Sequence, residues 1–92
     1  MEKKEIRTLE RVFKGVANHH RIKILLLISS QPGISLEGIT ESLKTNYQTT
    51  AEHVSRLRNA GLITKTYNGR AVLHNLSPFG EKISTIVRTF LH

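Results

Sequence analysis

Residues 46–63, NYQTTAEHVSRLRNAGLI, read as one helix followed by a glycine stop. Thr50, Val54 and Leu57 recur at intervals of four and three, the spacing of a single narrow stripe that packs against a core. Gly61 ends the periodicity, because a left-handed helix terminus carries little steric cost for glycine. Asn46 and Thr45 can each accept from the free amides of the first turn, and Thr45 with Gln48 three residues on also matches a capping box. The start therefore stays open by one residue. Around the rest of the helix stand Tyr47, Gln48, Thr49, Glu52 and Arg56. A helix held by one stripe and polar elsewhere leaves a face free for a partner, and the flanking segments narrow down what that partner is.

Upstream, KTN at 44–46 is a short turn, preceded by a helix that starts at Ser35 and runs to about Leu43. Ser35 is placed to cap it, Glu37 sits near the positive end of its dipole, and Ile34 and Ile39 occupy the two staple positions. QPG at 31–33 separates this helix from residues 18–30, NHHRIKILLLISS, whose Ile22, Ile24, Leu25, Leu26, Leu27 and Ile28 are apolar around most of the circumference. A helix of that kind belongs at the centre of the core. Residues 2–17 form the first helix, with Ile6, Leu9, Phe13 and Val16 on one stripe and charged groups elsewhere.

Downstream, Asn68-Gly69 is the strongest short hairpin signal, pointing to a type I′ turn between strands at roughly 62–67 and 70–76. Ser77-Pro78 then reads as an N-cap with proline at the first helical position. It opens a last helix carrying Phe79, Ile83, Ile86, Val87, Phe90 and Leu91. Two helices joined by a turn of about three residues, with a basic hairpin directly after, make a winged helix-turn-helix: mainly α with a two-stranded β-wing, in one domain over residues 1–92. The free face of the fourth helix is then the one that enters a DNA major groove.

The composition agrees. Fourteen Lys and Arg stand against seven Glu, with no Asp, a net charge of +7 that favours polyanionic partners. Residues 44–74 carry net +4 of it, against +2 for residues 1–43. No window approaches the length of a membrane span and the N-terminus is charged throughout, so neither a membrane span nor a secretory signal is expected and the protein reads as cytoplasmic. Nucleic acid and an anionic membrane both suit the charge, and of the two the expected partner is nucleic acid and no membrane. The absence of cysteine removes disulfides, thiolate metal sites and thiol nucleophiles.

Three stretches, VFKGVANHHRIKILLLI, ISLEGITESL and QTTAEHVSRLRNAGLITKTYNGRAVLHNLSP, together resemble the ArsR-type winged helix-turn-helix transcription regulators over nearly the whole chain. The resemblance implies a homodimeric repressor of double-stranded DNA, joined through its first and last helices. It assigns Asn46, Tyr47, Gln48, Thr49, His53 and Arg56 to the recognition helix and Arg70 to the wing tip. Glu52 and Lys65 join them as candidate DNA-facing residues, one on the free helix face and one on the wing. Metal-sensing members carry cysteines in the third helix, or Asp and His ligands in the last. Here the last helix has only Glu81 as an acid, with His92 at the end, so neither metal nor cofactor is expected. The family usually has Gly where Lys44 stands, so either Lys44 adopts a left-handed conformation at about 1 kcal/mol or the turn is shaped differently.

Plainer readings stand beside these. His19, His20, His53 and His74 show no paired ligand spacing, and His53 suits the edge of a core as well as a phosphate. No P-loop, nucleophile elbow or paired carboxylate suggests an enzyme. The last helix is the more telling case: Val87 and Leu91 widen the stripe of Phe79, Ile83, Ile86 and Phe90 beyond what one small core covers. Ile6, Leu9, Phe13, Ile83, Val87, Phe90 and Leu91 are therefore the candidate dimer contacts. Two other functions fit the same fold: a winged-helix protein-interaction module, and a sequence-indifferent architectural or RNA-binding protein.

Overall fold

The computed structural model describes residues 2–91, so His92 lies outside the described residues. In chain order the elements are α1 (Lys3–Val16), α2 (His19–Ser30), α3 (Leu36–Leu43), α4 (Tyr47–Asn59), β1 (Ile63–Asn68), β2 (Ala71–Leu76) and α5 (Pro78–Leu91). Five helices and one antiparallel hairpin make a winged helix-turn-helix. α2 is the central element: Ile24, Leu25 and Ile28 are sealed from solvent, packed with Val12 of α1, Ile39 of α3, Val54 and Leu57 of α4, Leu62, Ile63 of β1, and Ile83 of α5. Each such aliphatic side chain contributes roughly 1.5–3 kcal/mol by leaving water.

The helix starts follow the sequence. Asn18 Oδ1 accepts from the amides of His20 (2.9 Å) and Arg21 (3.2 Å), and Ser35 Oγ from Gly38 (3.0 Å). Ser77 Oγ accepts from the Gly80 amide (3.0 Å) and donates to the Gly61 carbonyl, fastening the start of α5 to the end of α4. α1 reaches α4 through Gly15, where an added Cβ would lie 2.3 Å from Cβ of Ala60. Only glycine lets the two helices meet so closely there.

The hairpin corrects the expected turn. Asn68 pairs with Ala71, so the two turn residues are Gly69 and Arg70, and Gly69 alone has positive φ (63°). A type I′ turn at Asn68-Gly69 is excluded; positive φ at the first central residue alone is the type II′ pattern. The observed register sets Ile63 opposite Leu76 and lets the Ser77 amide donate to the Leu62 carbonyl (3.0 Å), extending the ladder to the mouth of α5.

α5 is also rotated from the expected stripe. Its inner face is Gly80, Ile83, Ser84 and, half-buried, Val87, at helical spacing, while Phe79, Ile86, Phe90 and Leu91 are exposed. The small residues Gly80 and Ser84 let that side lie close to the core, an advantage hydropathy does not register. Ile83, at 9 % exposure, belongs to this chain's own core and not to a dimer surface. On α1, Ile6, Leu9 and Phe13 are exposed, whereas Val12 and Gly15 face inward.

Candidate nucleic-acid interface

α4 is positioned by the turn before it. Lys44 is left-handed (φ 52°, ψ 50°), with its amide bonded to Glu41 O (3.3 Å) and the Thr45 amide to Thr40 O (3.2 Å), the bond pair of a Schellman ending. The strained alternative is therefore the one realised, at about 1–2 kcal/mol for a residue with a Cβ. Asn46 is the cap: its Oδ1 accepts from the Thr49 amide at 3.1 Å. Thr45 instead pairs hydroxyl to hydroxyl with Thr50 (2.6 Å), and Thr50 Oγ1 reaches the Asn46 carbonyl (2.8 Å). Thr50, Val54 and Leu57 are buried as the spacing required. Asn46, Tyr47, Gln48, Thr49, Glu52 and Arg56 are exposed.

Within that face Arg56 is held by Glu52 at 3.2 Å, an exposed i, i+4 pair. Such a pair contributes little to stability, roughly 0.3–0.5 kcal/mol, but keeps the guanidinium extended along the helix. His53 stands apart from its neighbours. It is half-buried, its ring stacked on that of His20 with centroids 5.3 Å apart, and its Nδ1 has no protein partner. Burial first, and then the positive Arg21 beside it, push the imidazole below its ordinary value, so it is uncharged at neutral pH. That suits the plainer reading, a histidine at the core edge, over a charged phosphate donor.

The wing places Lys65 and Arg70 in the open beside α4. Between α4 and the wing runs a cleft of about 440 Å³ whose walls include Tyr47, Ser55, Arg58, Lys65 and Arg70. Arg58 is one that the sequence pattern did not single out. The signal was available: it follows Tyr47 by eleven residues, three helical turns, and so stands on the same side of α4. The wing's base is tied to the helix-turn-helix through Ile34, whose carbonyl accepts from both the backbone amide and Nδ1 of His74 (each 3.0 Å), while the Gly33 amide donates to His74 O (2.9 Å). His74 is thereby explained as structural.

Chemically, the surface offers an amide at Gln48 that can both donate and accept, guanidinium forks at Arg56, Arg58 and Arg70, and an ammonium at Lys65. These are the groups that read base edges and hold phosphates. Among the described residues, no three His, Cys, Asp or Glu side chains come together as a metal would require, and no helix is long and apolar enough to cross a membrane.

Comparison with known proteins gives the family of the chain. Residues 18–64, which span α2 through the start of β1, match the family model described as winged helix-turn-helix DNA-binding. The chain belongs to that family of DNA-binding transcription regulators, which are not enzymes. It is similar to the HTH-type transcriptional regulator YgaV of Escherichia coli K12, with 26% identity over 78 residues, covering 85% of this chain and 77% of that protein. Among solved structures, it resembles the transcriptional repressor PagR of Bacillus anthracis (TM-score 0.86, 18% identity, 94% of this chain and 99% of the other). It also resembles the homodimeric winged helix-turn-helix domain of Mb0332 from Mycobacterium bovis, a possible ArsR-family regulator (TM-score 0.85, 21% identity, 99% and 86%).

Proposed function

We propose that this regulator is a homodimeric, sequence-specific repressor of ArsR type, which reads the major groove with α4 and holds the flanking backbone or minor groove with the wing. The observation that carries the reading is the uncovered row of Tyr47, Gln48, Thr49 and Arg56 directly beside a wing bearing Lys65 and Arg70. Gln48 lies in the first turn of α4, where side chains point into a groove, and its amide matches the N6 and N7 edge of adenine. Arg70 is a turn residue at the wing tip, suited to phosphate or a narrow minor groove. Glu52 orients Arg56, Asn46 fixes the helix start, and His53 supports α4 from behind. Working on DNA, the protein is cytoplasmic in this reading.

The dimer rests on the apolar surface left over: Ile6, Leu9 and Phe13 on α1, with Ile86, Phe90 and Leu91 on α5 and the free edge of Val87. Likeness to the homodimeric Mb0332 domain and to the repressor PagR supports the assembly and the sign of regulation. Two recognition helices related by a two-fold axis reach half-sites about 10 bp apart, or a multiple of that.

Binding selection from random duplexes at physiological salt tests the reading, followed by titration of two variants. An enriched inverted repeat supports it. Gln48→Ala is expected to lose roughly 1–3 kcal/mol on the selected site with little change on random DNA. Arg70→Ala should weaken both together and lower the salt slope by about one per wing. An unenriched pool would favour a sequence-indifferent binder, and no binding a protein-interaction module. An unchanged specificity ratio for Gln48→Ala would remove that residue from the reading face.

A further inference from the structure

Between α1 and the C-terminal half of α4 lies a second basic concavity, an open trough of about 690 Å³ on the other side of Arg56 from the reading face. Arg7, Arg11 and Lys14 of α1, Arg21 of α2 and Arg56 of α4 line it, with Glu10 as its one acid. Glu10 is already engaged by Lys14 at 3.4 Å. Arg7, Arg11 and Arg21 make no ion pair among the described residues. Residues 1–43 carry only +2 in the linear count, because five Glu offset seven bases. Folding separates the two: of those acids only Glu10 lines the trough.

We propose that this trough is a further DNA contact, seating the phosphate backbone that borders the groove read by α4. The proposal rests on the reading of α4 given above and extends it to α1, to which no DNA role has been given. At 1.5 Å per residue, Arg56 stands about 12 Å along α4 from Gln48, and Asn59 about 16 Å. The major groove is about 12 Å wide. A helix with Gln48 against base edges therefore brings Arg56 to the groove lip and the trough to the phosphate strand beyond. Arg7, Arg11 and Lys14, at i, i+4 and i+7, face one way and span about 10 Å, over which one strand of B-form DNA carries about three phosphates.

The shape selects the same occupant. A small-molecule site encloses most of its ligand and is lined largely by apolar groups. This trough is open, and Arg7, Arg11, Lys14 and Arg56 are all exposed side chains. A polymer that lies across the surface and remains half in solvent fits it, and the continuity through Arg56 makes the polymer the duplex already held by α4 and the wing.

The test uses the full chain with Arg7→Gln, Arg11→Gln and Lys14→Gln combined. All three residues are exposed, and circular dichroism with a thermal melt verifies that the variant folds as the wild type does. Both proteins are titrated against the selected duplex and a random duplex of equal length from about 50 to 200 mM salt. The salt slope should fall in magnitude by about 0.9 for each phosphate that is no longer neutralised, up to about 2.7 per protomer. Affinity for both duplexes should drop at least about tenfold at the low-salt end, with their ratio unchanged. A wild-type slope in the variant overturns the proposal while leaving the α4 reading intact, since Gln48→Ala reports on that separately. Wild-type protein that selects no sequence overturns both. If inorganic triphosphate raises the melting temperature of the wild type and not of the variant, while DNA binding is the same for both, the trough is a small-anion site and the proposal fails.

Discussion

Gly15→Ala is the substitution for which helix propensity and packing give opposite signs. In an ordinary helix interior, replacing glycine by alanine stabilises by about 1 kcal/mol, through the smaller loss of backbone entropy. At Gly15 the new Cβ would stand 2.3 Å from Cβ of Ala60 and 3.8 Å from Leu62 Cδ1. The Ala60 methyl is not the end of a flexible chain, so one helix must move. Overpacking of that kind costs typically 1–3 kcal/mol and sometimes more, and here it must also outweigh the propensity gain. A Cβ 2.3 Å from a rigid methyl belongs at the upper end of that range, about 2–3 kcal/mol. After the propensity gain of about 1 kcal/mol the net loss is expected to be about 1–2 kcal/mol, a fall in melting temperature of roughly 4–16 °C for a domain of this size. Urea unfolding followed by circular dichroism measures it. Ala60→Gly in the same chain removes the obstructing methyl, so the pair should show a coupling of about 1–3 kcal/mol, with the double variant more stable than the Gly15→Ala single. A Gly15→Ala protein more stable than wild type would show that α1 does not meet α4 at this point, and the trough between them would have to be redrawn.

Three further outcomes follow from single sites. Lys44→Gly should stabilise by up to about 1 kcal/mol, since it relieves a left-handed residue, without changing the DNA specificity ratio; a destabilised variant with the same unfolding cooperativity would refute the turn geometry. Ile86→Ser with Phe90→Ser should convert the proposed dimer to a monomer in sedimentation while the fold persists, whereas Ile83→Ser should cost about 3 kcal/mol or more as a buried core residue. A wild-type monomer at micromolar concentration without DNA would end the dimer reading. His53 has a folded-state pKa below 6.5, so the unfolded chain takes up its proton first as pH falls. Its contribution is complete above pH 6.5 and is lost as pH falls from there toward the lower folded value. His53→Gln should accordingly narrow the difference in urea midpoint between neutral and mildly acidic buffer, and an unchanged difference would count against a buried imidazole at this position.

What the sequence disclosed depended on the range of the interaction. The burial of Thr50, Val54 and Leu57 and the caps at Ser35 and Ser77 are local relations, and each stands in the structure where the spacing puts it, whereas Asn18, read as the first residue of the second helix, is its cap instead. The hairpin turn was misplaced for a definite reason. Moving the turn from Asn68-Gly69 to Gly69-Arg70 slides β2 along β1 by two residues, and a pattern of period two looks identical after such a slip. What chose the register was Ser77 bonding to Leu62 and Gly61, a contact between the hairpin's exit and its entrance. The inner face of α5 was hidden because Gly80 and Ser84 add nothing to a hydropathy stripe yet permit the closest approach. The stacking of His20 on His53, and the meeting of the α1 row Arg7, Arg11 and Lys14 with Arg56 across one trough, join residues tens of positions apart, which no periodicity reports.

The Ile34 carbonyl that takes two hydrogen bonds from His74 has a mechanical meaning for recognition. It lashes the loop leading into α3, and through α3 the helix-turn-helix, to the second strand of the wing, so on the proposed reading α4 and the hairpin are two jaws of a caliper set to one gauge. A caliper with a locked jaw loses little freedom on closing, and less of the binding energy is spent on ordering the protein. It also cannot adjust to a duplex of the wrong width. Mismatch between the gauge and the local groove must then be taken up by the DNA, at a cost that depends on how easily that sequence bends or narrows. Base pairs that no side chain touches would thus still contribute to the choice of site.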